Sequence, residues 1–379
     1  MDSNSFCSTW GNSQILLPKD SLPPIELTNN SLRQIFKISI GGENFRIKLS
    51  NKCGNDTLEI KSISIAKSQS QGSGQIELNT IKKLTFSNNE FVSIKKGEEI
   101  YTDIFNYNLD SCAEIAISIF FGKVPSDITG HIFSMTNSFI EKDNEINKEK
   151  FSSEYKIAHW YFVSNIEVVS NKQIKGLICF GDSITDGRFS SIDKHERWPD
   201  FLFKKLRKEK IDIGINNQGL AGSFLSTTGV ERFENDVIKQ NGVNYLIIMY
   251  GINDITKLNK KENEIIDFYK KFINRAHEAN MLVYGGTLTP FKGYRHYSEE
   301  RNVIRNKVNE WIRNCKNING GFDEFIDFDL MVRDSNDVNK VNDNYNSGDG
   351  VHFNSLGYEK MAEAFNDLSF FSNYSFNFA

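Results

Sequence analysis

Two glycine-rich strings far apart in the chain hold the residues best suited to chemistry. GDSITDG at 181–187 sets Ser183 directly after an apolar run, and SGDGVHFN at 347–354 sets Asp349 and His352 three residues apart. At that spacing the carboxylate can hold the imidazole Nδ1 and leave Nε2 free, which makes an oriented base. An unactivated hydroxyl is a poor nucleophile, so Ser183 needs such a base to take its proton. The chemistry this suggests is acyl transfer through an acyl-serine. Its tetrahedral intermediate carries an oxyanion, and two further strings offer donors: NNQGLAGS at 216–223, with the Gly219 N–H, and GIND at 251–254, with the Asn253 amide. Together with the Ser183 N–H these form an expected oxyanion hole, each donor worth roughly 3–4 kcal/mol.

Each string has an ordinary explanation when taken alone. Asp182 and Ser183 can cap a helix, the 216–223 string can be a left-handed turn, and Asn253-Asp254 can be an Asx turn. Their conjunction is what points to acyl transfer, because every part that the reaction needs is present. The remaining histidines, His131, His159, His195, His277 and His296, default to structural or exposed roles. A loop at 287–297 follows an expected strand and carries Phe291, Tyr294, His296 and Tyr297, which are predicted to line the substrate cleft. Rings there either suit sugar faces or cover core.

The elements that must position these residues follow from hydrophobic rhythm. After about residue 172, short apolar runs at 174–180, 211–215, 245–250, 281–285 and 324–328 alternate with helical stripes: Trp198, Leu202, Phe203 and Leu206; Val230, Phe233 and Val237; Ile265, Phe268, Phe272 and Ala276. That alternation is the mark of βαβ units around a parallel sheet, with reactive loops past the carboxyl ends of its strands. A final helix starts near Asn354 or Ser355 and carries Leu356, Met361, Ala362 and Phe365.

Earlier in the chain the period is two. Phe36, Ile38 and Ile40, then Gly41-Gly42, then Phe45, Ile47 and Leu49 read as a hairpin. Short strands follow at 58–66, 81–86, 90–94, 115–121 and 160–169, with a flexible SQSQGSGQ stretch at 68–75. Such spacing predicts a β-sandwich or jelly roll over 1–172. The polar, charge-mixed segment 136–155 reads as a long surface loop within it, and the domain boundary falls at 171–173.

Composition sets the outer limits. With 379 residues the chain can hold two domains, and 39% hydrophobic and 25% charged residues, with 30 Phe and 13 Tyr, describe a globular protein. Lys and Arg number 45 against 49 Asp and Glu, a net charge of −4, which leaves no cationic excess for a nucleic-acid partner. The five cysteines are scattered, with no Cys-x-x-Cys metal or redox spacing. No run approaches the roughly 18 apolar residues that span a bilayer, so no membrane partner is expected. With no signal-peptide pattern at its start the sequence reads as cytoplasmic as written, or as secreted had a signal peptide been removed. Oligomeric state is not legible.

The four strings GDSITDG, NQGLAG, GIND and DGVH, in that order, resemble the SGNH, or GDSL-type, hydrolase family of esterases and lipases. The resemblance implies a flavodoxin-like three-layer α/β/α hydrolase domain over 173–379, with no metal or organic cofactor. Further segments, among them FRIKLSNKCGNDTLEIKSISIA, RFENDVI and YGGTLTPF, are similar to a subgroup that carries an N-terminal β-sandwich and includes acetyl-xylan-esterase-like proteins. Ile184 replaces the Leu of the GDSL name, a harmless change. Ser223 stands where relatives often have Asn, which bears on substrate contacts. The expected function is a serine esterase that removes short acyl groups, acetyl above all, from a carbohydrate or other small polar substrate. The alternatives are a lipase, lysophospholipase or thioesterase for longer chains, and a non-catalytic carbohydrate-binding protein.

Overall fold

The structure, a computed structural model, describes residues 5–170, 174–365 and 371. It divides into two compact units, one of Met1–Ile174 with Ser191–His195 and one of Lys175–Ser190 with Glu196–Ala379. The boundary expected at 171–173 lies outside the described residues.

The first unit is all β and its strand pairs are antiparallel. Asn30–Lys37, Leu58–Lys67 and Glu114–Phe121 lie in one sheet, while Ser5–Gly11, Gly42–Ser50 and Val163–Ser170 lie in another. The inward residues of both sheets share one core, in which Trp10 packs edge-on against Phe36 and Trp160 at 4.4 and 4.8 Å. Ser191–His195 belongs to this unit, where Asp193 accepts from the Asn137 N–H at 2.7 Å and His195 Nε2 meets Glu114 at 2.8 Å.

Two sequence expectations fail in this unit. The residues around Gly41-Gly42 are not a hairpin, because Asn30–Lys37 pairs with Glu114–Phe121 and Ser138–Lys142, whereas Gly42–Ser50 pairs with Val163–Ser170. The chain crosses between sheets: the Ile38 N–H donates to Ala113 O and the Ser39 N–H to Thr9 O. Gly41 permits the crossing, since a Cβ there would lie 2.1 Å from Leu109 O. Segment 136–155 is not a free surface loop either. It contains the strand Ser138–Lys142, and its later part wraps the buried Arg33, whose guanidinium donates to the carbonyls of Ile146 and Lys148 and stacks 3.9 Å from Phe151. Polar composition hid a segment that is held by one buried cation's demand for acceptors.

The second unit holds a parallel sheet of five strands, β1 (Lys175–Gly181), β2 (Ile213–Gly219), β3 (Val243–Met249), β4 (Leu282–Gly286) and β5 (Glu324–Ile326). Their spatial order is 2-1-3-4-5, the flavodoxin-like order. Residues 177–180 of β1 are fully buried, as a central strand covered on both faces requires. Ile178, Phe180, Leu246 and Ile248 share a core with Phe233, Phe272 and Val308, from the segment 225–238 and the helices Glu262–Glu278 and Glu299–Arg313. Helices Trp198–Lys208 and Ser355–Glu363 pack on each other, with Trp198 stacked 6.0 Å from Phe365. A parallel sheet with helices on both faces gives the three α/β/α layers that the resemblance implies. The helical segment 225–238 is widened by bonds that skip five residues, from the Gly229 N–H to Phe224 O and from Lys239 to Glu234.

Because β1 lies between β2 and β3, the chain leaves β1 toward one side and β3 toward the other. That reversal opens a crevice past the carboxyl ends of β1 and β3.

Candidate active site

The β1 strand ends at Gly181, and Asp182 then caps a single helical turn, Ser183–Asp186, by accepting the Ile184 N–H at 3.1 Å. Gly187 closes the turn in the left-handed region at φ 89°. Ser183 is therefore the first helical residue, and its own N–H has no intrahelical partner. Its Oγ lies 2.7 Å from His352 Nε2. His352 Nδ1 lies 2.6 Å from Asp349 Oδ2, while Asp349 Oδ1 accepts the Val351 and His352 N–H groups at 3.0 and 2.9 Å. Asp349 is thus gripped by its own loop on one oxygen and turned to the imidazole with the other. Partial burial pushes its carboxyl up, but the His352 side chain and these N–H groups hold it well below the usual carboxylate range. Asn354 caps the following helix by accepting from Gly357 N at 3.0 Å, which anchors the loop.

Asn253 sits in the helix Ile252–Lys257, entered through Gly251 at φ 131°. Its Nδ2 donates to Ser223 O at 3.0 Å, and Tyr250 donates its hydroxyl to Ser223 Oγ at 2.6 Å. Asp254 then accepts the Leu225 and Ser226 N–H groups at 2.7 and 2.9 Å. The string after β3 in this way clamps the string after β2.

Gly219 departs from its expected role. Its N–H already donates to Asn217 Oδ1 at 2.9 Å, and a Cβ there would lie 2.2 Å from Asp186 N. Glycine is required at 219 so that β2 can pack against the serine turn, and its donor is committed. Gly222 is the free one: it has φ 78°, open space where a Cβ would stand, and an N–H without a partner among the described residues. The second glycine of GLAG was the only signal, and by itself it does not separate Gly222 from Gly219.

Phe291 also departs. It is 0% exposed and packs 5.2 Å from the Tyr297 ring, so it belongs to the core. Tyr294, His296 and Tyr297 are half-buried, and Tyr294 abuts the histidine loop closely enough that a Cβ on Gly350 would lie 2.4 Å from its N.

Two residues that the sequence reading passed over complete the surroundings. Arg232, buried beneath the site, donates to Gly181 O and Gln218 O, both at 2.7 Å, and ties the ends of β1 and β2 together. The signal was an arginine inside the apolar stripe of Val230 and Phe233. Phe189 is 47% exposed, at φ 68°, with its ring 5.4 Å edge-on from His352. A large residue in that backbone region is uncommon, and this one places its ring beside the base. Among the described residues, no three His, Cys, Asp or Glu side chains gather to hold a metal ion, and no helix is long and apolar enough to cross a membrane.

Among solved structures, the chain is similar to the lipase/acylhydrolase from Enterococcus faecalis at 19% identity, covering 50% of this chain and 93% of that one with a TM-score of 0.42. A putative lipolytic protein of the G-D-S-L family from Desulfitobacterium hafniense is 20% identical over 50% of this chain and 96% of that one, with a TM-score of 0.39. A mutant acetyl-xylooligosaccharide esterase from Geobacillus Stearmophilus is 18% identical over 51% and 92%, with a TM-score of 0.38. No curated protein matches the chain. Residues 177–365 match the sequence model of the family described as GDSL-like lipase/acylhydrolase. That stretch runs from within β1 to just past the last helix and takes in Ser183, Asp349 and His352 alike, so through its second unit this chain belongs to the GDSL-like lipase/acylhydrolase family and is an ester hydrolase.

Proposed function

We propose that Ser183 is the nucleophile of a short-chain esterase that removes acetyl or similarly small acyl groups from a carbohydrate or other polar alcohol. The observation that carries the assignment is the unbroken relay from Ser183 Oγ to His352 Nε2 at 2.7 Å and from Nδ1 to Asp349 at 2.6 Å. In this reading His352 takes the serine proton as Oγ attacks the ester carbonyl, and Asp349, held ionised by its N–H donors, steadies the imidazolium. The oxyanion develops against the N–H groups of Ser183 and Gly222 and the Asn253 amide, whose bond to Ser223 O fixes its direction. His352 then protonates the leaving alcohol, and water attacks the acyl-serine by the reverse path.

The preference for small acyl groups and polar alcohols is supported by the resemblance to acetyl-xylan-esterase-like proteins. Arg188, stacked on the Phe189 ring that meets His352, and Lys257, on the helix of Asn253, add polar groups around the site and support it as well. We expect Ser183→Ala to lose nearly all esterase activity, by about 10⁴-fold or more in kcat. A series of nitrophenyl esters should show kcat/KM falling from acetate to octanoate. A rise along that series would replace this reading with the longer-chain lipase or thioesterase, and full activity in the alanine variant would remove Ser183 from the mechanism.

A further inference from the structure

The chain as a whole is slightly acidic, at −4, yet cations gather at the edge of the proposed active site. Lys257 lies one helical turn beyond Asn253 and so shares its face of the helix Ile252–Lys257, with the ammonium 5.9 Å from the Phe224 ring. Arg188 stacks 4.9 Å from Phe189, the ring that meets His352 edge-on, and its backbone carbonyl is held by the Tyr358 hydroxyl at 2.6 Å. Arg295 follows Tyr294 in the loop that abuts Gly350, and it donates through Nε to His296 Nε2 at 3.1 Å. Arg301 donates to His296 O at 2.7 Å, which fixes the loop's far end.

These groups feel one another. Burial lowers the Lys257 ammonium from its ordinary value, Asp182 opposes that, and the charges of Arg295 and Arg188 lower it further. His296 is pushed down by desolvation and then by Arg295, Lys257 and Arg301. Some cations of the unit are paired, as Lys292 is with Asp337 and Lys307 with Glu262, whereas Lys257 and Arg295 have no carboxylate within 4.0 Å among the described residues. Like charges brought together repel, and an anion placed among them relieves that repulsion.

We propose that Lys257 and Arg295, with Arg188, form an anion-binding rim, so that the ester presented to Ser183 belongs to an alcohol or sugar bearing a carboxylate or a phosphate. The proposal rests on the reading of Ser183 as nucleophile. It adds a substrate class, because an anion on the alcohol side would be steered to the rim and held by charge-assisted hydrogen bonds while its acyl group lies at Ser183.

The test uses the full chain and four acetyl esters of one phenol scaffold: 4-acetoxybenzoate, 4-acetoxyphenyl phosphate, the neutral methyl 4-acetoxybenzoate and the cationic 4-acetoxyphenyl trimethylammonium. Dividing wild-type kcat/KM by that of Lys257→Gln/Arg295→Gln, ester by ester, cancels their different intrinsic reactivities. The loss should be at least about tenfold greater for an anionic ester than for the neutral one, and the cationic ester should gain. A selective loss on the benzoate alone or on the phosphate alone identifies which anion the rim takes. In wild type, raising salt from about 50 to 500 mM should slow the anionic esters selectively. Equal losses on all four esters, or no selective salt effect, would overturn the rim. The hydrolase reading fails separately, if Ser183→Ala still turns over the neutral ester.

Discussion

Two aspartates stand on either side of the proposed nucleophile and base, and their surroundings drive them in opposite directions. Asp349, in the glycine-rich loop before the last helix, receives the imidazole and two backbone N–H groups and stays ionised far into acid. Asp182, at the end of β1, is buried with one N–H donor. Desolvation pushes its carboxyl up to about 6; the Ile184 N–H and the charges of His352 and Lys257 oppose the rise, and Asp254 adds to it. The difference is one of solvation, since the two groups are chemically identical. It separates a carboxylate that serves the base from one that caps the serine turn.

The largest effect should come from breaking the relay at Asp349. In Asp349→Asn the amide can still accept the Val351 and His352 N–H groups, so the loop keeps its shape. It no longer favours the His352 tautomer that leaves Nε2 free. A kcat loss of about 10⁴-fold with little change in KM is expected. Retention of kcat within about tenfold would show that the pair is structural.

Next in size is the donor set. Asn253→Ala removes an amide aimed by its bond to Ser223 O, and kcat should fall about 10²–10³-fold while thermal stability stays close to wild type. The two nearby glycines provide a contrast. Gly219→Ala drives a methyl into the Asp186 backbone and should lower the Tm strongly, whereas Gly222→Ala meets open space and bears only the strain of its positive φ, roughly 1–2 kcal/mol. If Gly222→Ala proves the more damaging to the fold, then Gly222 is the packing residue and its place in the donor set is lost.

What could be read beforehand follows from how far each contact reaches along the chain. Asp349 and His352 share one loop, so their pairing is written in a spacing of three. Ser183 and His352 are 169 residues apart, and only the βαβ rhythm, which places both strings at one end of a parallel sheet, made their meeting legible. Gly219 and Gly222 could not be told apart, because the choice turns on where the Asn217 side chain points. Phe291 could not be placed because a single aromatic in a loop has no periodicity to show which way it faces. In the first unit, period two marked the inward side chains of residues 36–49 correctly. Alternation, however, states which face a strand buries and not which strand lies beside it, so strands in two facing sheets read as a hairpin.

The remaining effect is in stability alone and concerns Asp182. The folded protein holds this proton more tightly than the unfolded chain does, since its pKa rises from 3.8 to about 6. Folding therefore takes up a proton between about pH 4 and 6, and stability falls as pH rises through that window. Above about pH 6 the native state carries a buried charge costing roughly 3 kcal/mol, by 1.36 kcal/mol per pKa unit. Asp349 has the opposite slope, because its depressed pKa contributes stability present above about pH 4 and lost in acid. Asp182→Asn keeps an oxygen for the Ile184 N–H, and asparagine caps as well as aspartate. At pH 7 the variant should be more stable in urea by up to about 3 kcal/mol, with the gain gone below about pH 4 and kcat within about tenfold of wild type. An unchanged or lowered stability at pH 7 would mean that Asp182 is solvated or paired well enough to stay charged, and the contrast between the two carboxylates would close.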